Sequence, residues 1–207
     1  FDWIEGATSW GIFGFRHRIA VGKGATGGTG STTDADTSVV LVAWNAGRSA
    51  TGSPFPQAYV GQAVFREFDL ALLNNAPVWN SSFCFGYPAI TSNKAGNFGI
   101  SLFAGGRNGG GGSAQQGFVG IDDDFTPGNA FYQTVFLVAS GDRNPSNARV
   151  GDYVTVHPHN PCQYAFSATS MALLGSAQTR NSRYVEFHRG RYRQCWRDWS
   201  RVAPLLN

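Results

Sequence analysis

Between Trp79 and Gly106 the chain reads WNSSFCFGYPAITSNKAGNFGISLFAGG, and few folds can accommodate that stretch. Tyr87-Pro88-Ala89-Ile90 leads in, Asn93-Lys94-Ala95-Gly96-Asn97 turns, and Phe98 to Phe103 returns with apolar residues at alternate positions. Period-two alternation places one face of a strand on a core, and a Gly/Asn turn reverses a strand pair. The stretch therefore predicts a hairpin with one buried face.

Similar runs recur along the chain. Ser38 to Trp44 (SVVLVAW), Gln57 to Phe68, Gly117 to Ile121, Phe131 to Ala139, Val154 to His157, Tyr164 to Leu174 and Arg183 to His188 all read as strands, with a shorter one from Arg16 to Val21. Gly22 to Thr33 and Arg107 to Gln116 read as glycine-rich loops; the first lacks the Gly-Lys-Ser/Thr ending of a phosphate loop. The sequence carries 27 glycines, 14% aromatic residues and 14% charged residues, against about 25% charged in ordinary domains. Tight turns need glycine and inter-sheet layers need aromatics, whereas long amphipathic helices would need more Glu, Lys, Leu and Ala. The chain is predicted to be all-β, with residues 1–188 as one domain and 189–207 as a tail.

A unit of turn and apolar strand repeats at Val42-Ala43-Trp44, Ser101-Leu102-Phe103, Phe136-Leu137-Val138 and Val185-Glu186-Phe187, at unequal intervals. Propeller blades run to roughly 40–50 residues, so the chain has room for about four. A β-sandwich is the competing architecture.

The formal charge is +3, and the basic residues are arginine except Lys23 and Lys94. That balance is too mild for a field-driven nucleic-acid binder. The tail, RGRYRQCWRDWSR, interleaves arginines with Tyr192, Trp196 and Trp199, and reads as a segment packed on the domain or on a partner. No apolar run is long enough to span a bilayer as a helix. The chain opens at Phe1 rather than at an initiator methionine, which reads as a processed or excised piece.

Cys84, Cys162 and Cys195 allow one disulfide, for which Cys162 with Cys195 is the preferred pair; three reduced cysteines are the alternative. Asp122-Asp123-Asp124 offers oxygen ligands for calcium, although consecutive residues do not converge easily on one ion, and an exposed acidic turn is the competing reading. His157-Pro158-His159 with Cys162 imitates a soft-metal cluster, but Pro158 and Pro161 favour a loop. No cofactor is expected. Arg149, Asp152 and Tyr153 are the candidate ligand-binding residues, with Asp152 and Tyr153 on opposite faces of a strand.

Three segments carry a family resemblance. Trp79-Asn80 followed by Phe83 to Gly106 resembles the "WN–F–F–YPA–N–G–GIS–GG" passage of sialidase-like (BNR-related) bacterial β-propeller proteins. Arg149-x-Gly151-Asp152-Tyr153 resembles their "W-G-D-Y" strand, and Arg183-Tyr184-Val185-Glu186-Phe187-x-Arg189 their closing "YV-x-F-G-R" strand. The resemblance implies the C-terminal part of a propeller of typically six blades, with the rest supplied by an upstream segment or a second polypeptide. It does not bring sialidase chemistry: no Asp-box is present, and Ser31 to Asp36 (STTDAD) lacks the required Gly and Trp.

Three functions follow as expectations. The first is a non-catalytic extracellular or cell-envelope module serving as scaffold or binding platform. The second is a glycan-processing hydrolase whose site is completed outside this chain, and the third is a structural subunit of an assembly. No catalytic residue is assigned.

Overall fold

The computed structural model describes residues 18–24, 37–47, 55–67, 69–75, 77–94, 97–106, 113–122, 132–145, 154–175 and 179–189. Within them the chain is all-β, with eleven strands in three antiparallel sheets. The first sheet runs β1 (Arg18–Gly24), β2 (Thr37–Ala46), β3 (Tyr59–Arg66) and β4 (Leu72–Asn74) in sequence order. The second runs β5 (Cys84–Ser92), β6 (Phe98–Gly106), β7 (Ser113–Asp122) and β8 (Tyr132–Ala139), again in order. The third orders β9 (Thr155–Pro158), β10 (Phe166–Leu174) and β11 (Thr179–Phe187) side by side. Each sheet is thus a meander of consecutive strands, and three layers replace the two of a simple sandwich.

The second sheet lies between the other two. Leu41 and Ala43 of β2 with Val60 and Val64 of β3 pack against Phe85, Phe98, Ile100 and Leu102. On its other side Cys84, Tyr87, Phe103 and Val119 meet Val156, Phe166, Ala168 and Met171. Across the layers β5 approaches β1, β2 and β3 on one side and β9 on the other, β10 lies over β6 and β7, and β11 lies near β8.

The hairpin predicted from the sequence is β5–β6. Its turn closes where the Asn93 N–H donates to the Asn97 carbonyl at 2.9 Å and the Asn97 N–H to Asn93 Oδ1 at 3.0 Å. The expectation of one buried face is corrected: all nine residues of β6 are buried. Phe98, Ile100 and Leu102 fill the core facing the first sheet. The intervening positions are small enough for the third sheet to close on them, and an added Cβ on Gly99 would lie 2.7 Å from the Phe166 ring.

β5 carries a bulge. Gly86 pairs with Phe103 and Ala89 with Ser101, so β5 spends one residue more than β6 over that interval. The extra residue switches the facing of the strand, placing Phe85 and Ile90 in one core and Cys84 and Ala89 in the other. Tyr87, at φ 57°, absorbs the irregularity.

Two loop expectations are also corrected. β1 extends through Gly24, because Gly22 to Gly24 pair with Val39 to Thr37 of β2. β7 begins at Ser113, which pairs with Gly106 across a second bulge. At Gly22 and Gly24 glycines take ladder positions because β2 satisfies their backbone groups.

Candidate functional site

Arg149, Asp152 and Tyr153 lie outside the described residues, as do Asp123 and Asp124. Asp122 is the last residue of β7, and its carboxylate is nearly sealed, with the side chain 1% exposed. Its Oδ1 accepts a hydrogen bond from Arg189 Nη2 at 3.2 Å, which joins the end of the second sheet to the end of the third. Among the described residues no group of three or more His, Cys, Asp or Glu side chains is placed to hold a metal ion.

The soft-metal alternative does not assemble. His157 is exposed on β9, His159 is buried beyond it, and Cys162 is disulfide-bonded. The disulfide also overturns the alternative of three reduced cysteines. Cys84 is a buried thiol, 3.7 Å from Gln57 Oε1 as its hydrogen-bond acceptor, and Cys195 lies outside the described residues.

The polar constellation that the fold does assemble lies on the third sheet. Tyr184 and Glu186 are two apart on β11 and so share a face. Across the sheet Tyr184 pairs in register with Thr169 and Thr169 with Thr155, while Glu186 pairs with Ser167 and Ser167 with His157. Alternate residues of β10, Phe166 and Ala168, go to the core, which leaves these two polar rows on the outward face.

His159 anchors one end of the rows. Its backbone N–H donates to the Ala165 carbonyl at 2.9 Å, and its side chain is 7% exposed. His159 Nε2 lies 3.7 Å from Glu186 Oε2, and Nδ1 lies 3.5 Å from the Tyr184 hydroxyl. The Tyr184 hydroxyl donates to Glu186 Oε1 at 3.0 Å, and the Thr155 and Thr169 hydroxyls are 2.7 Å apart. Partial burial and the adjoining Glu186 carboxylate raise the phenol above the usual tyrosine range. The phenol therefore stays protonated at neutral pH and acts as a donor rather than a nucleophile. With Glu186 engaged by Tyr184, the arrangement suits hydrogen bonding and ring contact more than group transfer.

Tyr184 is nonetheless 62% exposed, an aromatic ring fixed at its tip and open along its face. The sequence places Tyr184 and Glu186 in a strand and in a recurring apolar unit without marking either as a site residue. Their spacing of two was the available signal, and nothing local ties them to His159.

The opposite end of the stack is apolar. Leu41 and Ala43 point into the core, so Val40, Val42 and Trp44 point outward, each half-buried. They pair with Phe65, Ala63 and Gly61 of β3, and the Trp44 ring lies over Gly61, where a Cβ would sit 2.5 Å from it. Phe55, Tyr59 and Trp79 cluster beyond, with ring centroids 4.7 and 5.0 Å from Phe55.

The described arginines are spread over the layers. Arg18 opens β1, Arg66 is in β3, Arg180 and Arg183 are in β11, and Arg143 and Arg189 follow β8 and β11. Arg66 is engaged with Asp69 at 3.0 Å and Arg189 with Asp122. Among the described residues no helix is long and apolar enough to cross a membrane. No family model, curated protein or solved structure matches this chain.

Proposed function

We propose that the chain is a non-catalytic β-propeller module, sialidase-like in architecture, that serves as a scaffold or binding platform outside the cell or in its envelope. Its three sheets are consecutive blades, and further blades come from an upstream segment or a second polypeptide. One observation carries this reading: the first strands of the three meanders, β1, β5 and β9, approach one another in turn. Strands of equal rank lie side by side when blades are fanned about an axis.

The outward faces are the docking surfaces for neighbouring blades. Half-buried Val40, Val42 and Trp44 offer apolar area on the first sheet. The hydroxyl rows of the third sheet offer directional hydrogen bonds, with Tyr184 as the aromatic anchor; interface hot spots are enriched in such residues. A disulfide at Cys162 fits an oxidising compartment.

Native mass spectrometry of the protein from its source tests the proposal. The expected result is a complex containing the 22.3 kDa chain and a second polypeptide of different mass, or one longer precursor. Tyr184→Ala should weaken that complex by roughly tenfold or more, the loss of a hot-spot side chain. A chain found with no partner and no precursor would refute the proposal.

A further inference from the structure

Asn80-Ser81-Ser82, between the first and second sheets, serves neither the core nor the outward faces. It has the form Asn-x-Ser, and it is the single Asn-x-Ser/Thr of the sequence whose middle residue is not proline. Asn144-Pro145-Ser146 is excluded by its proline. Such a triplet accepts an N-linked glycan only where it lies on the surface of a secreted protein. The loop itself meets the first condition, and a disulfide speaks for the second.

The segment that carries Asn80 runs from β4 to β5 and is clipped at its base. Val78 pairs with Val60 through N–H to carbonyl bonds of 2.9 and 3.0 Å, and the Phe85 N–H donates to the Ala58 carbonyl at 3.0 Å. Between those ties Trp79, Ser81 and Ser82 are exposed and Asn80 is half-buried. Gln57 Nε2 donates to the Ser81 carbonyl at 3.4 Å, which braces the crest. Asn80 Oδ1 accepts a hydrogen bond from the Ser82 N–H at 2.8 Å, closing an Asx turn. That bond decides which end of the amide faces the backbone. Oδ1 is occupied, and Nδ2, with no partner among the described residues, is left as the reactive end. The turn also brings Ser82, whose hydroxyl the acceptor triplet requires, close to the Asn80 amide. Independently of the loop, Cys162 is disulfide-bonded, which fits an oxidising compartment.

We infer that Asn80 is an N-glycosylation site, modified by an oligosaccharide transferase of the organism's secretory machinery. The donor is a lipid-diphosphate-linked oligosaccharide. Asn80 Nδ2 attacks the anomeric carbon of its first sugar, and a C–N bond forms there. The C–O bond to the lipid diphosphate breaks, and the electron pair leaves on the diphosphate. One Nδ2 proton passes to a base of the transferase, and nothing is oxidised or reduced. The inference shares only the oxidising compartment with the proposed function and needs no arrangement of blades.

Peptide mapping by mass spectrometry of the protein from its native source reads the site. The peptide containing Asn80 is expected to carry hexose and N-acetylhexosamine mass, which peptide-N-glycanase removes while converting Asn80 to aspartate. Ser82→Ala, expressed in the native organism, is expected to lose that mass completely. Ser82 is exposed, so the fold is kept, and an unchanged far-ultraviolet circular dichroism spectrum checks this. An Asn80 peptide found only unmodified in the native protein, or a glycan that survives Ser82→Ala, would overturn the inference. A bare Asn80 in a chain that still binds a second polypeptide sinks this inference and leaves the proposed function standing. A glycosylated chain with no partner and no precursor does the reverse.

Discussion

Asn45 Oδ1, on the first sheet, accepts a hydrogen bond from the backbone N–H of Tyr87, on the second, at 2.6 Å. The two residues are 42 apart in sequence, and both are buried. The β5 bulge turns the Tyr87 N–H away from its own ladder, and Asn45, on the inward face of β2, receives it. The bond both satisfies the bulge and fixes the first sheet against the second. Asn45→Ala would leave a buried donor unpaired, which costs about 1–3 kcal/mol. Urea denaturation should show a lower midpoint with an unchanged slope. An unshifted midpoint would show that the bulge does not depend on this bond.

Phe166 lies fully buried against Gly99, stacked on Phe187 at 5.3 Å between ring centroids. The ring sits in a close-packed cluster with its cross-strand neighbour Phe187, so an added methyl group would have to displace it. Gly99→Ala should therefore overpack the interface and cost about 1–3 kcal/mol. Adding Phe166→Leu should recover part of the loss, so a double-mutant cycle in thermal denaturation should give a favourable coupling. Strictly additive effects would mean that the two sites do not touch.

The Phe166 contact also marks how far the sequence could be read. Alternating Phe98, Ile100 and Leu102 revealed a strand, and Asn93 to Asn97 its turn. Only Phe103 marks the second buried face of β6, because Gly99 and Ser101 carry no hydrophobic signal of their own. They are buried through what approaches them from the third sheet, more than 60 residues away, as the 68-residue separation of the Ser101 Oγ bond to the Thr169 carbonyl illustrates. The Tyr184, Glu186 and His159 constellation was obscured in the same way, since His159 lies in a Pro-containing loop 25 residues before Tyr184. Propensity marks strands, whereas register and layer order decide which polar groups meet.

Asp122, offered by the sequence as a calcium ligand or part of an exposed acidic turn, instead forms a linkage with Arg189. Arg189→Met would leave the Asp122 carboxylate buried without its cation. Breaking such a pair costs about 3–5 kcal/mol, and the 20% exposure of Arg189 points to the lower end of that range. Replacing Asp122 by Asn in that background should restore part of the loss. Chemical denaturation of the two variants tests this, and equal stability of single and double variants would count against the ion pair.

Tyr184 should leave a signature at high pH. Its phenol is raised in the folded protein above the ordinary tyrosine value, about 10, so the unfolded chain gives up this proton first. As pH rises past about 10, the unfolded state holds fewer protons than the folded one, and stability falls until the folded phenol also ionises. Below that range the group contributes no pH dependence. The difference between the 295 nm titrations of wild type and Tyr184→Phe isolates this tyrosine, and its midpoint should lie above 10 and drop in Glu186→Gln. A midpoint at the ordinary tyrosine value in both backgrounds would contradict the contact.

The proposed function requires sheets arranged as blades about an axis. An electron cryomicroscopy map of the complex isolated from its native source tests that arrangement most directly. The predicted result is a ring of about six blades in which the three sheets are consecutive and β1, β5 and β9 line the central channel. A map in which those three strands face no common axis, or in which the sheets form a closed stack with no further blade beside Trp44 or Tyr184, would contradict it.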